Sequence, residues 1–180
     1  MHTVVKKCKI CEREFTPQYS TAQRVCGTKC AMELARGNRQ KKAKKETTRM
    51  RREFNLKDRS YQLKLAQAAF NAFIRERDKY LPCISSGRTT GQMHAGHYKS
   101  VGAYPELRFC EQNCNKQSMK DNSWLSGNVV GYRQGLIDKY GEDMVIWLEG
   151  PHEPKKYTIE EIIEIKELYR AKLKALADKG

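Results

Sequence analysis

Two close pairs of cysteines near the N-terminus constrain the fold of this chain more than any other feature. Cys8 and Cys11 are separated by two residues, and Cys26 and Cys30 by three. So short a segment cannot bury enough apolar surface to fold on its own core. Four thiolates at this spacing can surround Zn²⁺ as a tetrahedron, and metal binding then supplies the folding energy. The alternative, four free or disulfide-linked cysteines, fits the spacing and a reducing compartment less well.

The residues around these cysteines predict a small treble-clef-like zinc finger over residues 1–37. Phe15, Pro17 and Tyr19 lie between the two pairs, and a helical run follows the second pair. This order is typical of a knuckle, a hairpin and a helix. Because cysteine occupies all four positions, the zinc would have no open coordination site and would be structural.

Charge is the second strong feature of the sequence. The chain has 35 Lys+Arg against 21 Asp+Glu, a formal charge of +14. Residues 1–60 hold 17 basic and 6 acidic residues, so most of the excess lies in the first third. Such a balance favours a polyanionic partner, nucleic acid before membrane.

The basic residues are densest in residues 38–59, a connector with almost no large apolar side chain. It is predicted to be a solvated helix or a mobile linker. A solvated face is the alternative for any single lysine, but the density beside a finger favours contacts with DNA phosphates. The candidates are Lys41, Lys42, Lys44, Lys45, Arg49, Arg51 and Arg52.

Nothing in the sequence predicts a membrane protein. No run of 18 or more apolar residues exists, and the first seven residues lack the apolar stretch of a secretory signal. We therefore expect a soluble, cytoplasmic protein.

Three further segments have helical periodicity. The first begins at Ser60, a candidate N-cap, and stops before Pro82. The second covers residues 130–140, before Gly141. The third begins with a capping box at Thr158 and runs for about 20 residues. These helices are interpreted as packing elements.

The central segment carries histidine and asparagine side chains that can do chemistry. His94 and His97 lie three residues apart, and Asn113 and Asn122 follow. Such groups can bind a divalent cation and leave an imidazole free to deprotonate water, which phosphodiester hydrolysis requires. By spacing alone, catalysis and simple ligation or packing remain equally open.

Several motifs of the chain resemble the NinG/Rap recombination proteins of lambda-like phages. The similarity is clearest over residues 60–133 and continues more loosely through the last helix. The N-terminal cysteine unit and the basic stretch also have counterparts in that family. The motifs that carry the resemblance are NAFIRERD at 71–78, LPCIS at 81–85, AGHY at 95–98, LRF at 107–109 and LSGN at 125–128.

The resemblance implies an α+β protein whose residues 60–180 form an HNH-like (ββα-metal) nuclease core with flanking helices. In such a core a hairpin carries a base histidine and a following helix carries a metal ligand. By position, His97 is then the general base, Asn113 fixes the hairpin loop, and Asn122 is a ligand of Mg²⁺ or Mn²⁺. His94 is the candidate second ligand, because Gly96 stands where many HNH enzymes have Asp.

The sequence departs from the family pattern in one respect. Family members frame this core with two Cys-x-x-Cys knuckles, but the matching positions here are Cys83 with Ser86 and Ser118 with Asp121. These residues make a poor zinc site. The hairpin is therefore expected to rely on packing alone, unless Cys110 and Cys114 join Cys83 in a displaced site.

Three arginines and three aromatic residues each allow two interpretations. Arg75, Arg77 and Arg108 can hold the scissile strand or form ion pairs with Glu76, Asp78 or Glu106. Tyr98, Tyr132 and Trp124 can stack on unpaired bases or pack in the core.

The leading hypothesis is a phage recombination endonuclease that cuts branched or single-stranded DNA, and a homodimer would let it cut two strands. The main alternative is a non-catalytic junction-binding recombination mediator with a decayed HNH motif. A third reading, a zinc-finger transcription or RNA-binding factor, has little support.

Overall fold

The computed structural model describes residues 4–178, and it divides the chain into two compact units at Asn55–Leu56. The first unit contains a small hairpin and most of one long helix. The second contains a two-stranded sheet surrounded by helices. The protein therefore has mixed α and β structure, with helices in the majority.

The first unit has the predicted order of knuckle, hairpin and helix. Strands β1 (Lys6–Lys7) and β2 (Glu14–Phe15) pair antiparallel, with Lys6 opposite Phe15. The turn between them holds Cys8 and Cys11. The second cysteine pair lies at the start of helix α1 (Thr28–Lys57).

Helix α1 continues through the segment that the sequence left open between helix and linker. It has 30 residues and buries none of its side chains, so at 1.5 Å per residue it is roughly 45 Å long. Its few large apolar residues, among them Met50 and Phe54, are exposed and form no continuous apolar stripe, which explains why this helix is solvated rather than packed.

Helix α2 (Arg59–Arg77) begins at a different cap from the predicted one. Asp58 is the N-cap, because its carboxylate accepts a hydrogen bond from the Tyr61 backbone N–H at 2.6 Å. Ser60 lies inside the first turn instead. A carboxylate at the N-cap also interacts favourably with the positive end of the helix dipole.

Helix α5 (Ile159–Ala177) begins at the predicted capping box of Thr158 and Glu161. It packs along α2 and shares a core cluster with it, in which Tyr169 contacts Phe70 and Phe73 ring to ring. The two long helices therefore form one wall of the second unit.

A two-stranded sheet lies against α2. Strands β3 (Met93–His97) and β4 (Cys114–Ser118) pair antiparallel, with His97 opposite Cys114. The long connection between them, residues 98–113, contains a 3₁₀ turn at Pro105–Leu107. A single π-helical turn, Lys120–Trp124, follows β4. The ββα-metal core that the resemblance implies is not established by this arrangement.

Two further helices complete the second unit. Helix α3 (Val129–Tyr140) lies where the sequence predicts it, and the additional helix α4 (Glu142–Glu149) follows directly after Gly141. Their buried side chains form a second core cluster with Leu107. Glycine at position 131 lets α3 approach the loop before β3, because a Cβ there would collide with the carbonyl oxygen of Ser85.

Candidate metal centre and nucleic-acid groove

The four cysteines of the first unit converge as predicted. Their sulfur atoms all lie within 4.8 Å of one another. Cys26 Sγ is 3.5 Å from Cys11 Sγ and 3.7 Å from Cys30 Sγ. Zinc–sulfur bonds of about 2.3 Å in a tetrahedron place the sulfurs about 3.8 Å apart. The cluster therefore has the dimensions and donor set of a site that can hold a metal ion such as Zn²⁺.

The thiols of this cluster differ in their readiness to ionise. The backbone N–H of Cys11 lowers the pKa of Cys8 to about 6. Burial, with hydrogen bonds among the neighbouring thiols, raises the pKa of Cys30 to about 12. Because thiolates crowd one another here, a bound cation is needed to deprotonate all four.

An open groove of about 550 Å³ runs beside β3 in the second unit. It brings two predicted site residues, His97 and Asn122, to the same surface. Lys99 lies in the same wall, with its ammonium 5.4 Å from the ring centre of Tyr98 and 5.3 Å from that of Tyr104. The remaining lining residues are Ala95, Ser100, Val101, Ser126, Gly127, Val129 and Tyr132.

His97 is half-buried, and both of its ring nitrogens have neighbours. Nε2 is 2.9 Å from the carbonyl oxygen of Arg108. A carbonyl can only accept, so the neutral ring carries its proton on Nε2 and its lone pair on Nδ1. The Cys114 sulfur lies 3.7 Å from Nδ1. Burial lowers the pKa of His97, so the ring is neutral and basic near physiological pH.

His94 and Asn122 form a second pair of predicted residues. The Asn122 Nδ2 atom is 3.3 Å from His94 Nδ1. Side chains alternate along a strand, so His94 and His97 lie on opposite faces of β3. The pair offers one imidazole and one carboxamide as donors. It has no carboxylate, so any cation here would depend on water or phosphate oxygens to complete its coordination.

Asn113 is fully buried and is saturated by backbone groups. Its Nδ2 donates to the carbonyls of Lys99 and Leu107, at 3.0 and 3.1 Å, and its Oδ1 accepts from the Lys99 N–H at 2.8 Å. These bonds brace the connection between β3 and β4. Asn113 therefore has no free atom for a substrate, and it acts on the groove by positioning Lys99.

Gly96 makes room for a glutamine from the opposite strand. An added Cβ at Gly96 would collide with Gln117 Oε1 and lie 3.0 Å from Asn122 Oδ1. Gln117 Nε2 donates to the Gly127 carbonyl at 2.6 Å, which fixes the amide orientation. Its Oε1 is buried without a hydrogen-bond donor. Sequence reasoning missed Gln117, and the missing side chain at Gly96 was the only signal.

The four knuckle positions also meet, which corrects the expectation that the hairpin relies on packing alone. Ser86 Oγ donates to Asp121 Oδ2 at 2.6 Å, and the Ser118 hydroxyl donates to the same oxygen. Cys83 Sγ is 3.4 Å from that oxygen. Hydrogen bonds between side chains therefore join the two knuckle segments.

Cys110 and Cys114 do not complete a displaced metal site with Cys83. Cys110 Sγ contacts Gln112 at 3.5 Å, whereas Cys114 faces His97. Over residues 4–178, the N-terminal cysteines are the one group of three or more metal-binding side chains. Burial raises the pKa of the Cys114 thiol well above its ordinary value, so it stays protonated.

The three arginines near the hairpin have different surroundings. Arg75 is exposed on α2. Arg77 forms an ion pair with the buried Asp78, at 2.7 Å. Arg108 donates to Gln67 Oε1 at 3.1 Å. Arg77 therefore forms an ion pair, the second of the two predicted roles, whereas Arg75 keeps its charge exposed.

The three candidate stacking aromatics differ in burial and in hydrogen bonding. Tyr132 is buried and donates to the Gly96 carbonyl at 2.8 Å. Tyr98 donates to Glu149 at 2.5 Å. Trp124 is 73% exposed, so it alone of the three presents most of its ring to solvent.

The candidate phosphate-binding residues of α1 are all exposed and share one side of the helix. At about 100° per residue, all seven fall within about half of the circumference. The opposite half carries Ala43, Glu46, Met50, Glu53 and Phe54. Arg49 is paired on the helix, with Glu46 at 2.6 Å and Glu53 at 3.7 Å.

A four-cysteine centre and a basic solvated helix, followed by a helix-wrapped hairpin, define a small α+β protein that can hold a metal ion. The sequence model described as "Bacteriophage Lambda NinG protein" matches residues 2–179. The chain belongs to the NinG family of phage proteins.

Curated relatives agree with this assignment. The protein called ninG from Escherichia phage 933W is 43% identical over 95% of this chain and 93% of its own length. The ninG protein of Escherichia phage lambda is 42% identical over 95% of this chain and 93% of its own length. That of Salmonella phage P22 is 41% identical over 96% of this chain and 94% of its own length. No solved structure shows significant similarity. Over the described residues, no helix is both long and apolar enough to cross a bilayer.

Proposed function

We propose that this protein is a metal-dependent endonuclease that cuts branched DNA during phage recombination. The observation that carries the proposal is the groove shared by His97 and Asn122. A candidate base, whose Nδ1 contacts the Cys114 thiol, and a candidate cation ligand line one open groove. That is the minimum that metal-assisted phosphodiester hydrolysis needs.

His97 would act as the general base. The Arg108 carbonyl holds the Nε2 proton, so Nδ1 is the atom that can accept a proton from water. Burial lowers the pKa of the ring and keeps it unprotonated. The Cys114 sulfur lies 3.7 Å from Nδ1, so proton transfer from water would require access to this atom beside the buried thiol.

Asn122, which lines the groove with His97, would be the main ligand of Mg²⁺ or Mn²⁺, and His94, whose Nδ1 is 3.3 Å from Asn122 Nδ2, would be the second donor. A bound cation would neutralise charge developing on the scissile phosphate. Two neutral donors bind a cation weakly, so the metal would be retained chiefly in the presence of DNA, whose phosphate oxygens complete the coordination. Lys99, in the groove wall, would attract the same phosphate.

The rest of the chain would supply DNA affinity. The four-cysteine centre would be a treble-clef-type finger with structural zinc. The basic half of α1 would contact phosphates on the backbone, which gives affinity without sequence preference. Arg75 on α2 would add a contact on the second unit.

The test is cleavage of a labelled four-way junction and a matched linear duplex in Mg²⁺ or Mn²⁺. Wild-type protein is compared with His97→Gln, which keeps a polar side chain of similar size, and with the Lys156→Gln control on the surface. We expect metal-dependent cutting that His97→Gln reduces at least 100-fold while junction binding is retained. Failure of the wild-type protein to cut under any divalent metal would overturn the proposal.

A second candidate function is a non-catalytic, junction-binding recombination mediator. The observation that favours it is that, among the described residues, His94 belongs to no group of three or more His, Cys, Asp or Glu side chains that could hold a metal ion. The same experiment separates the two, because a mediator binds junctions tightly but does not cut them, and its binding is indifferent to His97→Gln.

A further inference from the structure

The four-cysteine centre has a hydrogen-bonding pattern that can be compared with other turns in the chain. The N–H of Cys8 donates to the carbonyl of Arg13 at 2.9 Å, and the N–H of Glu12 returns a bond to the carbonyl of Cys8 at 3.0 Å. Glu12 has a φ of 60°. These bonds curl the backbone so that N–H groups point at the cysteine sulfurs.

The loop before β3 repeats this pattern in the second unit. The N–H of Cys83 donates to the carbonyl of Arg88 at 2.7 Å, and the N–H of Gly87 donates to the carbonyl of Cys83 at 2.8 Å. Gly87 has a φ of 68°. In both loops the cysteine N–H bonds the carbonyl five residues later, and its carbonyl accepts from the N–H four residues later. The residue with positive φ is the fourth after the cysteine in both. The loop is therefore folded as a metal-binding knuckle.

The second half of each cluster also corresponds. In the first unit the N–H of Cys26 points at Cys8 Sγ, at 3.4 Å, and the segment then enters α1. In the second unit the N–H of Ser118 points at Cys83 Sγ, at 3.2 Å, and the segment then enters the π-helical turn. By this correspondence Asp121 stands where Cys30 stands in the finger.

The centre of the second cluster holds a carboxylate. Asp121 is 2% exposed. Its Oδ2 accepts from the hydroxyls of Ser86 and Ser118 and contacts the thiol of Cys83, and its Oδ1 accepts from Asn128 Nδ2 at 2.9 Å. Burial opposes ionisation of this carboxyl, but these hydrogen bonds outweigh it and hold its pKa below the ordinary range.

We propose that Cys83, Ser86, Ser118 and Asp121 form a metal-free knuckle, in which hydrogen bonds to the Asp121 carboxylate make the cross-link that a metal ion makes in the finger. One anion gathers three donors, just as one cation gathers four thiolates. The cross-link joins the loop before β3 to the end of β4 and the turn after it.

This arrangement makes Asp121 a positioning residue for the groove. Its neighbour Asn122 lies on the same π-helical turn, and the Gly127 N–H bonds the Asp121 carbonyl at 2.9 Å. Loss of the Asp121 carboxylate would loosen the π-helical turn, and with it the position of Asn122 in the groove. The inference does not rest on nuclease activity, since metal content and unfolding are measured without cleavage.

The first test uses the wild-type protein. Both tryptophans, Trp124 and Trp147, lie in the second unit, so tryptophan fluorescence reports the unfolding of that unit in the full chain. We expect one zinc per chain by native mass spectrometry and a tryptophan-detected midpoint that a zinc chelator does not move. Two zinc ions per chain, or a chelator-sensitive midpoint, would overturn the proposal.

The second test removes the anion. Asp121→Asn keeps the shape but loses the charge, and we expect its tryptophan-detected midpoint to fall by about 5–10 °C. The matched control is Asp138→Asn, which removes an exposed carboxylate on α3 and should leave the midpoint unchanged. An Asp121→Asn midpoint equal to that of the control would contradict the assigned cross-link.

The third test converts the cluster. A variant with Ser86→Cys, Ser118→Cys and Asp121→Cys has four cysteines, as the finger has, although its second pair is one residue closer together. We expect it to bind a second zinc and to acquire a chelator-sensitive tryptophan midpoint. A variant that folds without a second metal, or that does not fold in excess zinc, would overturn the correspondence between the two clusters.

Discussion

Individual residues of the second unit are constrained by close contacts more than by their chemical type. Gly96 illustrates this. Its α-carbon adjoins the amide of Gln117, and that amide is held by the Gly127 carbonyl and by Ser85 Oγ, each at 2.6 Å. The glutamine cannot retreat without losing these bonds.

We therefore predict that Gly96→Ala destabilises the second unit. The new methyl group would displace Gln117, and the free energy of unfolding should fall by about 1–3 kcal/mol. Urea denaturation followed by tryptophan fluorescence measures the change. Gly102→Ala is the control, because a Cβ at Gly102 meets nothing within 4 Å. Equal stability of the two variants would show that Gln117 can move freely.

His97 gives a prediction about pH. Burial lowers its pKa from 6.5 in the folded state, so the unfolded chain binds more protons as the pH falls through that value. Stability from this group is present above about pH 6.5 and is lost as the pH drops toward the folded pKa.

The wild-type protein should therefore lose more stability than His97→Gln between about pH 7.5 and about pH 5.5. Carboxylates that titrate in both proteins cancel in the difference. The measurement is the free energy of unfolding in urea at each pH. A difference between the two proteins that does not change with pH would show that the ring titrates normally.

Single elements carry the surfaces that nucleic acid would meet. Helix α1 is the clearest case, because its seven candidate residues share one side and none of its side chains is buried. Burial within the described residues therefore does not account for the one-sided charge of α1.

Neutralising the middle of this basic side should weaken DNA binding and flatten its salt dependence. With Lys41→Gln, Lys45→Gln and Arg52→Gln together, the slope of log affinity against log salt should fall by about 3 if each contacts a phosphate. Lys64→Gln, Lys156→Gln and Lys174→Gln make the same charge change on exposed lysines of the second unit. Equal slopes for the two triple variants would mean that total charge, not α1, binds DNA.

The turn after β4 presents an exposed aromatic side chain next to the groove. Trp124 is 73% exposed. Base stacking on an exposed aromatic contributes about 1–3 kcal/mol. Trp124→Ala should therefore weaken binding to single-stranded DNA about 5-fold or more, while binding to linear duplex changes little. Fluorescence anisotropy with both substrates measures this, and equal losses on both would argue against stacking.

At the scale of the whole molecule, one buried charge cluster ties together the elements of the second unit. Asp78, at the end of α2, pairs with Arg77 at 2.7 Å and with Lys139 of α3 at 3.0 Å. It also accepts from the Lys116 N–H of β4 at 3.1 Å. Three elements therefore meet at one carboxylate that is 2% exposed.

Removing this carboxylate should be the most destabilising change in the unit. Asp78→Ala leaves two partly buried cations, Arg77 and Lys139, with only neutral acceptors such as Asn115 Oδ1. The free energy of unfolding should therefore fall by about 3 kcal/mol, the low end for breaking a buried ion pair. Denaturant unfolding followed by tryptophan fluorescence measures the loss, and Asp138→Ala on the exposed side of α3 is the control. A loss below about 1 kcal/mol would mean that the charge cluster adds little net stability, because its attraction only offsets the cost of burying the charges.

The sequence predicted those parts of the fold that depend on local pattern. The spacing of Cys8, Cys11, Cys26 and Cys30 predicted a metal centre, and periodicity predicted α2, α3 and α5. The resemblance identified the family. These features are readable because ligand spacing, apolar periodicity and capping are properties of neighbouring residues.

Contacts between distant residues were decided only by the tertiary structure. Sequence reasoning placed the α2 cap at Ser60 and did not find α4. It also treated Ser86, Ser118 and Asp121 as a lost zinc site, because composition does not show that the Ser86 hydroxyl can bond a carboxylate 35 residues further along the chain. The sequence by itself therefore determined the four-cysteine cluster, the helices α2, α3 and α5 and the charge of α1. The groove and the Asp121 cluster required the folded chain, since their geometry depends on how β3, β4 and α3 pack.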